Sequence, residues 1–158
     1  VEACIAGVAD GTIDCVATDH APHTREEKDL EFDKAPFGIV GLETALALYV
    51  RALVEPGHLT WLQLVEKMSS AGARVMGLAG RGTLQRGAAA DVTVVDPRAE
   101  WVVESKRFKS KSRNTPFEGW NVRGRVRWTI VGGRVVFGGE ARAHEATAGK
   151  PPVGTGRR

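Results

Sequence analysis

One carboxylate and two imidazoles crowd into five residues of "IDCVATDHAPHTREEK", where Asp19-His20-Ala21-Pro22-His23 follows directly on an apolar run. Ionised, Asp19 has two uses: it can ligate a divalent metal, or it can take a proton from a metal-bound water. The competing reading is structural, with Asp19 capping a turn ahead of Pro22 and both histidines on the surface. A D-H-x-x-H spacing carries no general mechanism, so spacing alone leaves both readings open. Two features favour chemistry. Pro22 fixes the backbone between the histidines and restricts His23. The stretch "APFGIVGLE" follows, where Gly38 and Gly41 let backbone come close to a ligand.

The element that must position Asp19 is Ile13 to Thr18, a short apolar, β-branched run entered through a glycine turn and read as a buried strand. Parallel α/β barrels keep catalytic groups at the C-terminal ends of such strands, because all the strand ends face one pocket. Residues 19 to 41 lack periodicity and hold Pro22, Pro36, Gly38 and Gly41, which makes them a long loop. Loops beyond ~12–15 residues in compact domains are usually functional or disordered. Upstream, Glu2 to Asp10 is helix-compatible and Gly11 stops it. Downstream, Leu42, Ala45, Leu46, Tyr49, Val50 and Leu53 share one helical face, and Pro56-Gly57 ends the run. Thr60 and Gln63 form a capping-box pair ahead of Trp61, Leu64, Val65 and Met68, and a further helix covers Ala71 to Met76 and stops at Gly77.

After Gly80 the pattern changes to strands and turns: Asp91 to Val95, stopped by Asp96-Pro97, then 101–103, then a hairpin turning at Gly132-Gly133. Val126, Trp128 and Ile130 alternate onto one face. From Ala141 the residues are mainly Ala, Gly, Pro and Arg, and residues 141–158 read as a disordered tail. One strand–helix unit cannot make a sheet. If it belongs to a parallel barrel of about 250 residues, most of that barrel lies upstream. Val1 in place of Met, inside a helix already under way, points the same way.

The bounds from composition are those of a globular domain. The chain has 158 residues, 42% hydrophobic and 26% charged, enough for a core and far from a disordered composition. No apolar run reaches the ~20 residues of a membrane span, and no signal peptide is readable, so the expected location is cytoplasmic. Cys4 and Cys15 lack metal-ligand spacing and read as small buried hydrophobes in a reducing compartment. Net charge is +3. The cluster "KRFKSKSR", residues 106 to 113, reads as a solvated turn, since one aromatic and no binding fold accompany it; no nucleic acid is expected as partner. His58 and His144 read as surface residues.

"ATDHAPHTREEK" followed by "APFGIVGLETAL" resembles the strand-eight region of the dihydroorotases, in the amidohydrolase superfamily. "DVTVVDP", "WVV", "FKSKSRNTPFEGW" and "VGGRVVF" are similar to that family's C-terminal segments, so the resemblance runs from about Glu2 to Gly139. It implies an α/β fold: the last strand–helix unit of a metal-dependent (β/α)8 barrel in residues 1–80, then part of a small β-sandwich in 81–140. It implies a zinc-dependent hydrolase of pyrimidine synthesis whose small-molecule substrates are carbamoyl-aspartate and dihydroorotate. It further implies that Asp19 contacts the zinc and acts as general base, taking a proton from the bridging hydroxide and returning it to the leaving nitrogen. His23, helped by backbone near Ala21, would hold the substrate carboxylate, while Phe37 and Gly38 would contact the ring mainly through backbone. His20 is left as a supporting residue.

The family's remaining metal and substrate ligands have no counterpart in this sequence. A lone carboxylate falls short of the about three protein ligands a catalytic zinc needs, so residues 1–158 alone are expected to be inactive and to bind no zinc tightly. Three alternatives stay open. The chain is the C-terminal part of a full enzyme, or it comes from a non-catalytic dihydroorotase-like subunit supporting aspartate transcarbamoylase, or it belongs to another cyclic amidase of hydantoinase or allantoinase type. Intact Asp19, His23, Phe37 and Gly38 favour the first. A homodimer and an assembly with aspartate transcarbamoylase are the partner arrangements considered. Without the barrel, the apolar face of Leu42 to Leu53 would lack a sheet to cover.

Overall fold

The computed structural model describes residues 1–138; the tail expected at 141–158, with His144, lies outside the described residues. Helix α1 covers Glu2–Asp10 and ends where Gly11 turns left-handed, at φ 94°. A segment without regular secondary structure, 13–19, follows. A one-turn helix α2 (Arg25–Lys28) lies inside the long loop. Helix α3 (Ala45–Tyr49) widens directly into a π-turn, Val50–Val54. Helices α4 (Trp61–Met68) and α5 (Ser70–Val75) complete the helical part. Three strands then form one antiparallel sheet in chain order: β1 (Val92–Val102), β2 (Asn121–Val131) and β3 (Arg134–Gly138).

Local sequence explains most of these boundaries. Thr60 and Gln63 make the reciprocal capping box that starts α4. Gly132 and Gly133 both take positive φ, 55° and 76°, the left-handed pair that a tight hairpin between β2 and β3 requires. Gly77, also left-handed, follows α5. His58 and the basic residues of 106–113 are exposed, as a solvated turn should be.

Four expectations are corrected. Ile13 to Thr18 joins no ladder among the described residues, and it is part-exposed, not buried. A strand forms only beside a partner, and here the contacts are isolated: Val16 N–H donates to the Lys67 carbonyl (3.2 Å), and Lys67 Nζ donates to the Ile13 carbonyl (2.5 Å). The helix read from Leu42 starts only at Ala45. Gly41 presses against Thr18, where an added Cβ would meet the Thr18 carbonyl oxygen at 3.1 Å, and this forces a turn first. Leu42 stays exposed, while Val50 and Leu53 are buried.

The two strands expected on either side of Asp96-Pro97 are one strand with a bulge. Pairing stops at Asp96↔Arg125 and resumes at Glu100↔Arg123, so residues 97–99 oppose Gly124 alone. Asp96 Oδ1 accepts from the Arg98 and Ala99 N–H groups (3.0 and 3.1 Å), which supports the bulge that Pro97 cannot pair. Finally, Cys4 is exposed and Cys15 half-buried, so neither is the buried hydrophobe expected.

The core has two clusters. Val8, Val50, Leu53, Leu59 and Leu64 join the helices. Val40, Ala47, Val103, Phe108 and Val122 join the end of the long loop to the sheet. Gly124 lets the sheet approach the helices. It is buried at φ +90°, an added Cβ would lie 3.2 Å from Trp61 and 3.3 Å from Val50, and its carbonyl accepts the Trp101 indole N–H at 3.0 Å. Arg51 adds a second tie, its guanidinium 4.7 Å from the Trp120 ring centre and donating to the Asn121 carbonyl. Gly124→Ala combines left-handed strain with overpacking and should cost about 2–4 kcal/mol in chemical denaturation of the protein. A cost under about 0.5 kcal/mol, ordinary for an uncritical surface site, would contradict this packing.

Candidate functional site

Asp19 is the only non-glycine residue with positive φ, 45°, among the described residues. Aspartate tolerates this region better than most residues, yet such a conformation costs of order 1–3 kcal/mol and persists only when neighbours impose it. The neighbours do so on both sides. Before Asp19, the Tyr49 hydroxyl donates to the Ala17 carbonyl at 2.6 Å. Burial raises the Tyr49 hydroxyl above its ordinary pKa, which keeps it a donor. After Asp19, His20 pairs in parallel with Ile39, and the Ala21 N–H donates to the Ile39 carbonyl at 2.9 Å. The Gly41 N–H donates to His20 Nδ1 at 3.1 Å, so a neutral His20 carries its proton on Nε2. His20 thus supports the backbone on either side of the loop. The Asp19 carboxylate itself is exposed.

The His20–Ile39 pairing brings the two ends of the long loop together. Gly38 makes this closure sterically workable: at φ +103°, an added Cβ would lie 2.5 Å from the Ala21 Cβ. His23 Nε2 lies 2.8 Å from the Phe37 carbonyl oxygen, and His23 Nδ1 lies 3.5 Å from Glu27 Oε2, so an imidazolium here donates on both sides. Glu27 also completes the capping box of α2 with Thr24. The Thr24 N–H, more than the nearby His23, holds the Glu27 carboxyl below its usual pKa. Lys28 closes the loop's middle by donating to the Pro36 carbonyl at 2.6 Å.

Ala21, His23, Gly38 and the Phe37 carbonyl are therefore gathered at one place, beside the strained backbone of Asp19. Phe37 is 95% exposed, and what it brings to this cluster is its backbone carbonyl. No group of three or more His, Cys, Asp and Glu side chains placed to hold a metal occurs among the described residues. The described residues therefore do not assemble the donor set of a complete zinc centre. A shallow concavity lined by Ala73, Arg74 and residues 77–81 lies elsewhere and carries no acid, base or nucleophile.

Two contributors lie outside the expected site residues. The helix α2 has a readable signal, the T-x-x-E spacing of Thr24 and Glu27. The other is Asn114. Its side-chain amide donates to the Ala21 carbonyl (2.9 Å) and the Gly38 carbonyl (3.3 Å), and its Oδ1 accepts the His23 N–H (3.4 Å). Asn114 lies 93 residues from Ala21 in sequence, and no local pattern announces such a contact.

Comparison with known proteins finds relatives along most of the chain. The family model described as "Amidohydrolase family" matches residues 1–136. A protein named dihydroorotase from Citrifermentans bemidjiense is 56% identical over 137 residues, 87% of this chain and 32% of its own length. Another of that name, from Acetivibrio thermocellus, is 53% identical over 136 residues. The chain thus spans about a third of the length of the curated relatives it matches. Among solved structures, an L-hydantoinase (dihydropyrimidinase) from Arthrobacter aurescens superposes with a TM-score of 0.79 at 34% identity, over 87% of this chain and 32% of that one. A D-hydantoinase (dihydropyrimidinase) from Thermus sp. gives 0.79 at 30% identity, over 87% and 31%. The family model's match over residues 1–136 means that this chain belongs to the amidohydrolase family.

Proposed function

We propose that this chain is the C-terminal portion of a dihydroorotase, which interconverts N-carbamoyl-L-aspartate and dihydroorotate in pyrimidine synthesis. The observation that carries the reading is the strained, exposed Asp19 beside a loop closure that collects Ala21, His23, Phe37 and Gly38. Relatives more than 50% identical and named dihydroorotase supply the reaction class. Residues 1–80 are taken as the end of a barrel, with 81–140 as part of a β-sandwich. Exposed Leu62, Val65, Val75 and Met76 fit a surface that further protein covers. The proposed location is cytoplasmic; among the described residues no helix is long and apolar enough to cross a membrane.

In the hydrolytic direction, water attacks the ring carbonyl and the ring carbon–nitrogen bond breaks. Asp19 accepts the proton of the attacking water and delivers it to the leaving nitrogen. Cyclisation runs the same proton transfers backwards. Asp19 is exposed, which keeps its carboxylate available for this proton transfer. His23 offers ring N–H donors to the substrate carboxylate. Of its two present contacts, the 3.5 Å approach to Glu27 is the one a substrate anion replaces. Backbone at Phe37 and Gly38 lines the ring, and a side chain at 38 would collide with Ala21 and displace that backbone. Zinc would polarise the carbonyl. Its remaining ligands must come from outside this chain, since Asp19 is one against the about three required.

A cyclic amidase of hydantoinase type is the second reading, favoured by the structural neighbours at 30% and 34% identity. His23 separates the two. It suits a substrate bearing a free carboxylate, which dihydroorotate has and a simple hydantoin lacks. A non-catalytic subunit associated with aspartate transcarbamoylase is disfavoured, because it would have no use for strain at Asp19.

In the full-length enzyme, Asp19→Asn should reduce kcat for dihydroorotate by about 10²–10⁴-fold with the fold intact by circular dichroism. Near-wild-type turnover would remove Asp19 as base. His23→Ala should raise KM for dihydroorotate about tenfold or more and change kcat less. Equal losses on dihydroorotate and on an uncharged hydantoin would instead favour the second reading. Purified residues 1–158 should show no turnover and no stoichiometric zinc by metal analysis; the opposite result would overturn the ligand count.

A further inference from the structure

We infer that Asn114 is a positioning residue for the substrate loop, acting through Ala21, His23 and Gly38; the inference rests on the dihydroorotase reading for its kinetic consequence. Every polar function of Asn114 other than its own N–H is directed at this loop. The side-chain NH2 donates to the Ala21 and Gly38 carbonyls, the side-chain oxygen accepts the His23 N–H, and its main-chain carbonyl accepts the Val40 N–H at 3.1 Å. The residue is half-buried, so water replaces these bonds poorly.

The geometry explains why the side chain must be a primary amide. Two donors are needed for two carbonyls that belong to opposite ends of the loop, and one acceptor for the amide of His23. Only asparagine offers that set at this length. Aspartate has the same shape but turns an oxygen, with its charge, toward both carbonyls. Asn114 arrives from the segment that follows the exposed basic turn and precedes β2, so the sheet-bearing half of the chain fixes the loop of the helical half. A second tie, from within the basic turn, is the Ser110 N–H donating to Glu43 Oε1 at 2.8 Å; it lies outside the loop and supplies an internal control.

The test uses the full-length enzyme with Asn114→Asp, Asn114→Ala and Glu43→Ala, each also combined with His23→Ala. Steady-state kinetics on dihydroorotate are read beside hydrogen exchange of peptides covering 19–41. Asn114→Asp should raise KM about tenfold or more, with kcat per active site within about threefold. In the His23→Ala background its further effect on KM should shrink below about threefold, because both substitutions act through one group. Exchange in 19–41 should quicken for both Asn114 variants and stay near wild type for Glu43→Ala.

A general structural role predicts a smaller active fraction with unchanged KM, and that result overturns the inference, as does unchanged exchange in 19–41. If Asn114→Asp yields no folded enzyme, Asn114→Ala decides the same two readouts. Absence of dihydroorotate turnover in the unmutated enzyme would overturn the dihydroorotase reading. Exchange would then still decide whether Asn114 holds the loop.

Discussion

Everything at the candidate site depends on one short-range pairing, the parallel contact of His20 with Ile39. It closes a loop of some twenty residues onto itself, and closure entropy for a loop of that size makes a single bridge insufficient. The structure reinforces it from several directions: Ala21 to the Ile39 carbonyl, Gly41 to His20 Nδ1, His23 to the Phe37 carbonyl and Asn114 across both ends. Gly38 is the steric condition for all of them. With any larger residue there, the two ends would collide at Ala21.

The same closure accounts for Asp19. A left-handed aspartate is unfavourable by itself, and it survives here between two fixed points, Ala17 held by Tyr49 and His20 held by Ile39 and Gly41. The Tyr49 hydroxyl belongs to a helix whose next turn widens to π geometry, with Val50 and Leu53 buried beneath it. Core packing of the helices therefore reaches the backbone of the proposed base through one hydrogen bond. On the other side, Val40 sits in the cluster with Val103, Phe108 and Val122, so the sheet steadies the returning end of the loop. Gly124 in turn lets that sheet lie against Trp61 and Val50. Strain at one residue is balanced by two separate pieces of core.

What could be read from the sequence follows from the range of the interactions. The capping box of α4, the left-handed glycine after α1 and the Gly132-Gly133 hairpin are decided within a few residues, and they were legible. The choice of Asp19, Ala21, His23, Phe37 and Gly38 as site residues rests on family resemblance, since D-H-x-x-H alone has no mechanism attached. Long-range choices were not. Ile13 to Thr18 has strand composition, but composition supplies no partner. Pro97 looked like a terminator because its effect on pairing is local, whereas resumption at Glu100 depends on β2. Asn114 sits in a run of basic and small residues, where nothing nearby reveals the three groups it reaches.

The most direct test of the central idea is a crystal structure of the full-length enzyme with dihydroorotate bound. An Asp19 carboxylate oxygen should lie within about 2.6–3.2 Å of the attacking water or the leaving ring nitrogen. The Asp19 backbone should remain left-handed, and the substrate carboxylate should sit against His23. An Asp19 directed away from the ring, with the substrate carboxylate held by other residues, would contradict the assignment of this loop as the catalytic one.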